Sequence, residues 1–243
     1  MGYIMKTVLI TGGSRGIGAE MVRMFSDNGY KVAFTYKSSD DAADMVSKST
    51  GALAIKADSA NECDVICAVK QAEEYLGEID CLINNSAVSS FSLFTDITLD
   101  QWREMLDVNL TGAFLYTKAV VKGMISRKQG RIINISSMWG TVGASCEVHY
   151  SAAKAGLVGM TKALAKDLGP SGITVNAIAP GVIDTEMNRL KLDADDIEDL
   201  KESTPLMRIG LPEEVASVAL FLAGDGAAFI TGDVINVSGG FVV

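Results

Sequence analysis

Apolar positions along the chain change period again and again. Short continuous runs rich in β-branched residues, such as Thr7-Val8-Leu9-Ile10, alternate with longer stretches of helical spacing, such as Ala19, Met21, Val22, Met24 and Phe25. The runs predict strands at Thr7–Thr11, Val32–Tyr36, Ala52–Lys56, Cys81–Asn84, Arg131–Ser136, Thr174–Ile178 and Val234–Val237. The amphipathic stretches between them predict helices, with long ones from Asp100 to about Ser126 and from Tyr150 to about Leu168. Strands alternating with helices imply an α/β fold, in which right-handed crossovers build a seven-stranded parallel, doubly wound sheet flanked by helices. No Pro/Ser-rich linker, repeat or shift of composition divides residues 1–243, so one domain is expected. In such a sheet the ligand sits at the carboxyl ends of the strands.

Composition narrows the class. A content of 48% hydrophobic and 21% charged residues over 243 positions supports a large packed core and excludes disorder. No apolar run reaches membrane-spanning length. The opening Met1-Gly2-Tyr3-Ile4-Met5-Lys6 is too short for a signal peptide; Lys6 reads as the beginning of the first strand and the residues before it as a ragged extension. A cytoplasmic protein without membrane partners is expected. Lys and Arg number 21 against 30 Asp and Glu, a formal charge of −9, which argues against nucleic acid as a partner. The acidic run Asp193 to Asp199 reads as a solvated helix face. Cys63 and Cys67 share a helix face, but no Cys or His nearby completes a metal set. Cys81 falls in an apolar strand, and Cys146 either lines a pocket or fills a loop. Glycosylation patterns at Asn109, Asn134 and Asn236 are chance matches.

Two features carry chemistry. Thr11-Gly12-Gly13-Ser14-Arg15-Gly16-Ile17-Gly18 follows a strand and opens a helix. Glycines there let the backbone turn tightly and approach a pyrophosphate, whose charge is met by the N–H groups of the helix start. Tyr150 and Lys154 stand four apart on a predicted helix, hence on one face. A phenol has an ordinary pKa near 10, and a neighbouring ammonium favours phenolate, bringing the group toward the working range.

Together with Asp58 after the third strand, Asn84-Asn85-Ser86-Ala87 after the fourth, Asn109, Ser137 and Pro180-Gly181-Val182-Ile183-Asp184-Thr185, these residues stand in one order and spacing. By them the chain, from Met5 to Val243, resembles the short-chain dehydrogenase/reductase family, and most of all its 3-oxoacyl-(acyl-carrier-protein) reductases. The resemblance implies a Rossmann-type fold, NADP(H) or NAD(H) as cofactor, and reduction of a ketone to a secondary alcohol. It implies Tyr150 as proton donor and Ser137 as the second donor to the ketone oxygen. Ser136 competes with Ser137, and the offset of thirteen before Tyr150 selects the latter by resemblance. Lys154 would lower the Tyr150 pKa and hold the nicotinamide ribose. Asn109 would link Lys154 to solvent through its backbone carbonyl and a water.

Cofactor contacts are expected from Gly12, Ser14, Arg15, Gly16, Ile17 and Gly18, from Tyr36, Lys37 and Ser38, from Asp58 at the adenine, and from Asn85, Pro180, Gly181, Ile183 and Thr185. By resemblance Tyr36 occupies the position where an NAD site carries an acidic residue. With no carboxylate there, Arg15 and Lys37 are read as embracing a 2′-phosphate, with Ser14 and Ser38 as hydroxyl donors, which favours NADPH.

Several departures bear on the substrate. Ser86-Ala87 stands where the family has Ala-Gly. Of two basic residues that carrier-protein reductases present to their acidic carrier, Lys128 remains and the other position is Ser171. A coenzyme A thioester, a sugar or a small ketone therefore remains an alternative, and a non-catalytic dinucleotide-binding protein a remote one. His149, the only histidine, is read as no general base, because its neighbour Tyr150 points elsewhere on the helix. Met138 and Trp139 are read as pocket wall or core. Specificity is expected from loops at Ser89–Leu93, Met138–Val148 and Met187–Pro205. The resemblance also implies a homotetramer assembled through the long helices and the segment Ile230 to Val243.

Overall fold

A computed structural model describes residues 6–190 and 192–242. The proposed ragged start at Met1–Met5, and Val243 at the end of the proposed oligomer segment, lie outside the described residues. Seven parallel strands form one sheet: β1 (Thr7–Ile10), β2 (Lys31–Tyr36), β3 (Leu53–Lys56), β4 (Cys81–Asn84), β5 (Gly130–Ile135), β6 (Ile173–Pro180) and β7 (Val234–Val237). Their spatial order is β3-β2-β1-β4-β5-β6-β7. The order reverses between β1 and β4, where Val8, Leu9 and Ile10 pair with Cys81, Leu82 and Ile83. At such a switch the connections leave to opposite sides and open a crevice. The seven expected strands are the seven observed, with ends moved by a few residues. The largest change is β6, whose eight residues are all buried and which continues to Pro180.

Period-2 alternation sorts the strand side chains into two cores. Val8 and Ile10 face one side, packed with Met21, Val22 and Phe25 of α1 (Gly16–Asp27). On that side α2 (Asp40–Thr50) contributes Ala43 and Val46, and α10 (Pro212–Ala223) contributes Val215, Ala219 and Leu222. Leu9 and Leu82 face the other side, against Val65 and Val69 of α3 (Glu62–Leu76) and Leu115, Tyr116 and Val120 of α5 (Gly112–Arg127). The remaining helices are α4 (Leu99–Leu106), the single turn α6 (Trp139–Val142), α7 (Val148–Leu168), α8 (Glu186–Arg189) and α9 (Ala194–Glu202). Each fully buried Val, Leu, Ile or Phe contributes about 1.5–3 kcal/mol, so both layers hold the sheet rigidly under the site.

The expected helix from Asp100 to Ser126 is interrupted. Between α4 and α5 the chain makes a π turn, Asp107–Thr111, in which the Gly112 N–H reaches back to the Asp107 carbonyl. Such a turn holds one residue more than an α turn, so one of its carbonyls loses its partner within the helix. Asn109 lies in this turn. Just beyond it, a Cβ on Gly112 would stand 2.8 Å from the Ser59 carbonyl, which explains the glycine where α5 passes the end of β3.

Candidate active site

The Gly-rich turn runs from the end of β1 into α1. Gly12 takes φ +68°, a backbone conformation that L side chains rarely adopt. A Cβ on Gly18 would overlap the Gly12 carbonyl oxygen, so the start of α1 folds tightly onto the turn. Arg15 occupies the N-cap position, yet no side chain caps α1 and no acidic residue stands in its first turn. Its first N–H groups are therefore suited to an outside anion. Asn85 braces this turn: its Nδ2 donates to the carbonyls of Thr11 and Gly12 at 2.9 and 3.1 Å. Thr11 Oγ1 in return accepts from the backbone N–H groups of Asn85 and Ser86 at 2.9 and 3.0 Å. Asn85, expected at the cofactor, thus spends its amide on the turn that would carry it.

Opposite the turn, the end of β6 leads into the Pro180–Thr185 segment. The Gly181 N–H donates to Val237 at 2.9 Å, and the Pro180 carbonyl accepts from Met138 at 2.9 Å. Thr185 caps α8, accepting from the N–H of Asn188, and its methyl would lie 3.4 Å from a Cβ on Gly16. Ile183 is buried in the core, so its side chain packs the sheet, and backbone is what it has left to offer a ligand.

The residues expected to choose between dinucleotides are engaged with one another. Arg15 pairs with Glu186 at 3.2 Å and Lys37 with Asp58 at 2.6 Å. The hydrogen bond to Asp58 raises the Lys37 pKa. Tyr36 donates its hydroxyl to Asp40 at 3.2 Å, and Asp40 also takes Lys56 at 2.8 Å. Ser38 is exposed beside Lys37, and Ser14 is half-buried in the turn. Arg15 and Lys37 are more than half exposed. Pairs of that kind contribute about 0–1 kcal/mol and exchange readily for a phosphate.

Asn109, Ser137, Tyr150 and Lys154 converge beneath the switch point. Lys154 is buried, with its Nζ 2.8 Å from the Ile135 carbonyl and 5.7 Å from the centroid of the Tyr150 ring. The two serines are separated: Ser136 Oγ donates to the Lys154 carbonyl at 3.1 Å, whereas Ser137 acts on the Tyr150 phenol and pulls its pKa down. Ser137 Oγ also accepts from the Trp139 N–H at 3.1 Å. Asn109 Nδ2 donates to the Val88 and Met105 carbonyls, both at 2.9 Å. Met138 is core, and Trp139 meets Phe241 edge-on at 5.6 Å.

The expected lowering of the phenol by Lys154 is corrected here. Burial pushes the Tyr150 pKa up, the negative charge of Glu147 pushes it further, and the Ser137 hydrogen bond pulls the other way. The same burial brings Lys154 down to about 7, because no carboxylate compensates its desolvation. Glu147 itself, buried one turn before Tyr150, is a site residue the sequence reading missed. Only its i−3 spacing from Tyr150 signals it.

A depressed lysine carries a stability consequence. Between the unfolded value of 10.5 and about 7, the unfolded chain binds more protons at this site, so stability falls as pH falls through that window and is flat below it. Lys154→Met removes the buried amine while keeping the length of the chain. The variant is expected to melt higher than the parent at pH 7, with the gap closing as pH rises toward 10.5, and to lose turnover. A lower melting temperature across that range would refute the depressed amine.

Among the described residues no group of His, Cys, Asp and Glu could hold a metal. Cys81 is buried, Cys63 and Cys67 are exposed and Cys146 is half-buried. Of the three glycosylation patterns, Asn109 and Asn134 are buried and Asn236 is exposed. No helix among these residues is long and apolar enough to cross a membrane.

A family model described as enoyl-(acyl carrier protein) reductase matches residues 12–242. A 3-oxoacyl-[acyl-carrier-protein] reductase of Synechocystis sp. is 43% identical, with 98% of this chain and 97% of the relative covered. An acetoacetyl-CoA reductase of Shinella zoogloeoides is also 43% identical, over 97% and 98%. The solved structure of a mutant Serratia marcescens short-chain dehydrogenase/reductase superposes with TM-score 0.91 at 37% identity, covering 98% of each chain. The chain belongs to the short-chain dehydrogenase/reductase family. Membership makes it an oxidoreductase with a nicotinamide dinucleotide cofactor. The turn at Gly12–Gly18 and the uncapped start of α1 fit the pyrophosphate of such a dinucleotide.

Proposed function

We propose that the protein reduces 3-oxoacyl thioesters to 3-hydroxyacyl thioesters with NADPH, as in fatty acid synthesis. The observation that carries this reading is the Ser137–Tyr150–Lys154 arrangement at the switch point, joined by loops with an apolar rim. Phe91, Leu93, Val142, Val148 and Met187 stand exposed on the three loops expected to set specificity. Those loops meet: the Ser92 N–H donates to the Cys146 carbonyl at 2.8 Å, and Ser89 Oγ lies 3.6 Å from the Met187 sulfur. Such a rim suits an acyl chain better than a sugar.

When bound, the reduced nicotinamide supplies the hydride. Tyr150 holds its proton at neutral pH because burial and Glu147 disfavour phenolate, so it is loaded to protonate the developing alkoxide. Ser137, which acts on that phenol, fixes and polarises the ketone oxygen. Lys154, poised near neutrality, returns a proton to Tyr150 and offers its remaining N–H groups to ribose hydroxyls. Asn109 lies beside Lys154 on the wall of a small buried cavity, where the side-chain oxygens of Asn84, Asn109 and Tyr116 have no hydrogen-bond partner among the described residues. Buried polar atoms of this kind are normally satisfied by ordered water, which suits a link from Lys154 toward solvent.

A coenzyme A thioester is the second reading, favoured by one feature. Lys128 closes α5 in a left-handed conformation, and its carbonyl would overlap a Cβ on Gly172, next to Ser171. The place where two cations would steer an acidic carrier thus holds one, and steering weakens accordingly. NADPH oxidation with matched 3-oxoacyl carrier-protein and coenzyme A thioesters, a sugar and small ketones is the test. Both thioesters are expected to be preferred, with less than about tenfold between them because a single cation remains. Preference for the sugar or a small ketone would overturn the reading. A homotetramer is proposed on family resemblance, and the same preparation tests it by light scattering.

A further inference from the structure

His149 stands immediately before Tyr150 on α7 and is fully buried. Its Nε2 lies 2.9 Å from the Oγ of Ser90, 59 positions earlier, in the loop leaving the carboxyl end of β4. Its Nδ1 has no hydrogen-bond partner among the described residues. Burial lowers the imidazole pKa, so the ring is neutral at physiological pH and carries one proton. An orphaned buried N–H is rarer in folded proteins than an under-used acceptor. The proton therefore belongs on Nε2, donated to Ser90, and Nδ1 is left as a bare acceptor. Ser90 Oγ accepts that bond, and among the described residues its hydroxyl makes no other.

The loop around Ser90 is tied to the site on three sides. Val88 accepts from Asn109, Ser92 donates to Cys146, and Ser89 touches Met187. We infer that His149 and Ser90 form a dyad that presents the Ser90 hydroxyl as a hydrogen-bond donor to a second carbonyl of the substrate. In a 3-oxoacyl thioester that acceptor is the thioester oxygen, two carbons from the ketone. The inference rests on the reduction proposed above and states how a 1,3-dicarbonyl is told from a lone ketone. Ser90 touches the substrate. His149 is a positioning residue that fixes the direction of the Ser90 proton.

Calorimetric binding of acetoacetyl-coenzyme A in the presence of NADP⁺, with free coenzyme A as reference, tests the dyad without needing turnover. One neutral hydrogen bond contributes about 0.5–1.5 kcal/mol, so Ser90→Ala is expected to weaken acetoacetyl-coenzyme A by about 3- to 10-fold relative to coenzyme A. His149→Phe keeps a ring and loses both nitrogens, and should give a smaller loss, because the Ser90 hydroxyl stays but is no longer directed. The double variant should be no worse than Ser90→Ala alone, since without the hydroxyl His149 has nothing to direct. His149→Gln, whose amide can donate to Ser90, should recover part of the affinity. The dyad is overturned if unmodified protein fails to bind acetoacetyl-coenzyme A, if Ser90→Ala binds it equally well, if coenzyme A weakens as much, or if the two losses add. Ser90→Ala deletes one oxygen from a half-buried loop position and decides the matter even if His149→Phe fails to fold. A chain that reduces no ketone yet keeps this binding pattern refutes the reductase reading alone. One that reduces ketones without the pattern refutes the dyad alone.

Discussion

Tyr150→Phe is expected to cut turnover about 10²- to 10⁴-fold while NADPH affinity stays within a few-fold of the parent. The variant keeps the ring that lies over Lys154, so packing survives and only the proton is lost. The raised phenol also fixes the sign of the pH dependence. Ketone reduction needs the protonated phenol, which is present through the neutral range and is lost only as pH rises through the raised value. Alcohol oxidation needs phenolate and should climb as pH rises. Single-turnover absorbance measurements in both directions check this. Near-normal reduction by Tyr150→Phe would remove Tyr150 from the chemistry.

The second large effect concerns the cofactor. Arg15 and Lys37 are expected to give NADPH a tens- to hundreds-fold advantage over NADH in kcat/KM, since a charge-assisted hydrogen bond contributes about 1.5–3 kcal/mol before solvent screening. Each cation already has a carboxylate partner, Glu186 or Asp58, so part of that gain is offset by the pair it gives up. Reversing both charges, Arg15→Glu with Lys37→Glu, should abolish the preference, mostly through KM, because the phosphate lies far from the hydride. It would also leave Glu186 and Asp58 beside new negative charge, so NADPH should suffer more than NADH gains. Salt should erode NADPH binding more than NADH binding. Equal use of the two dinucleotides by the unmodified chain would sink this account of the loop after β2.

The strands were legible because β-branched runs buried on both faces stand out against helical spacing, as in Val8–Ile10 and Ile132–Ile135. The Tyr150–Lys154 pair was legible because it is local, four positions on one helix. The contacts that give these residues their electrostatics were not, because they join distant segments. Asn84 lies inside an apolar strand, and its amide bonds Asn134 at 2.8 Å and Thr117 at 3.1 Å. Asn134 in turn bonds Thr161 at 2.8 Å. A strand pattern records such asparagines only as polar exceptions. The bracing role of Asn85 was not legible, because its partners Thr11 and Gly12 lie 74 and 73 positions away. The direction of the Tyr150 shift was missed because the phenol's burial depends on every element around it. Spacing showed the ammonium beside the ring but not that burial depletes the ammonium's own charge.

The π turn at Asp107–Thr111 puts α4 and α5 out of phase. Each residue advances a helix by about 100°, so one extra residue swings everything beyond it by more than a quarter turn. In that rotated frame Leu115, Tyr116 and Val120 meet the sheet, while Met105 on the near side stays buried beside Asn109. An uninterrupted α-helix through this segment could satisfy one of those faces but not both. The Asn109 position is therefore also a splice between two packing frames. That makes it a site where gain or loss of a single residue would dislocate a whole layer of the fold.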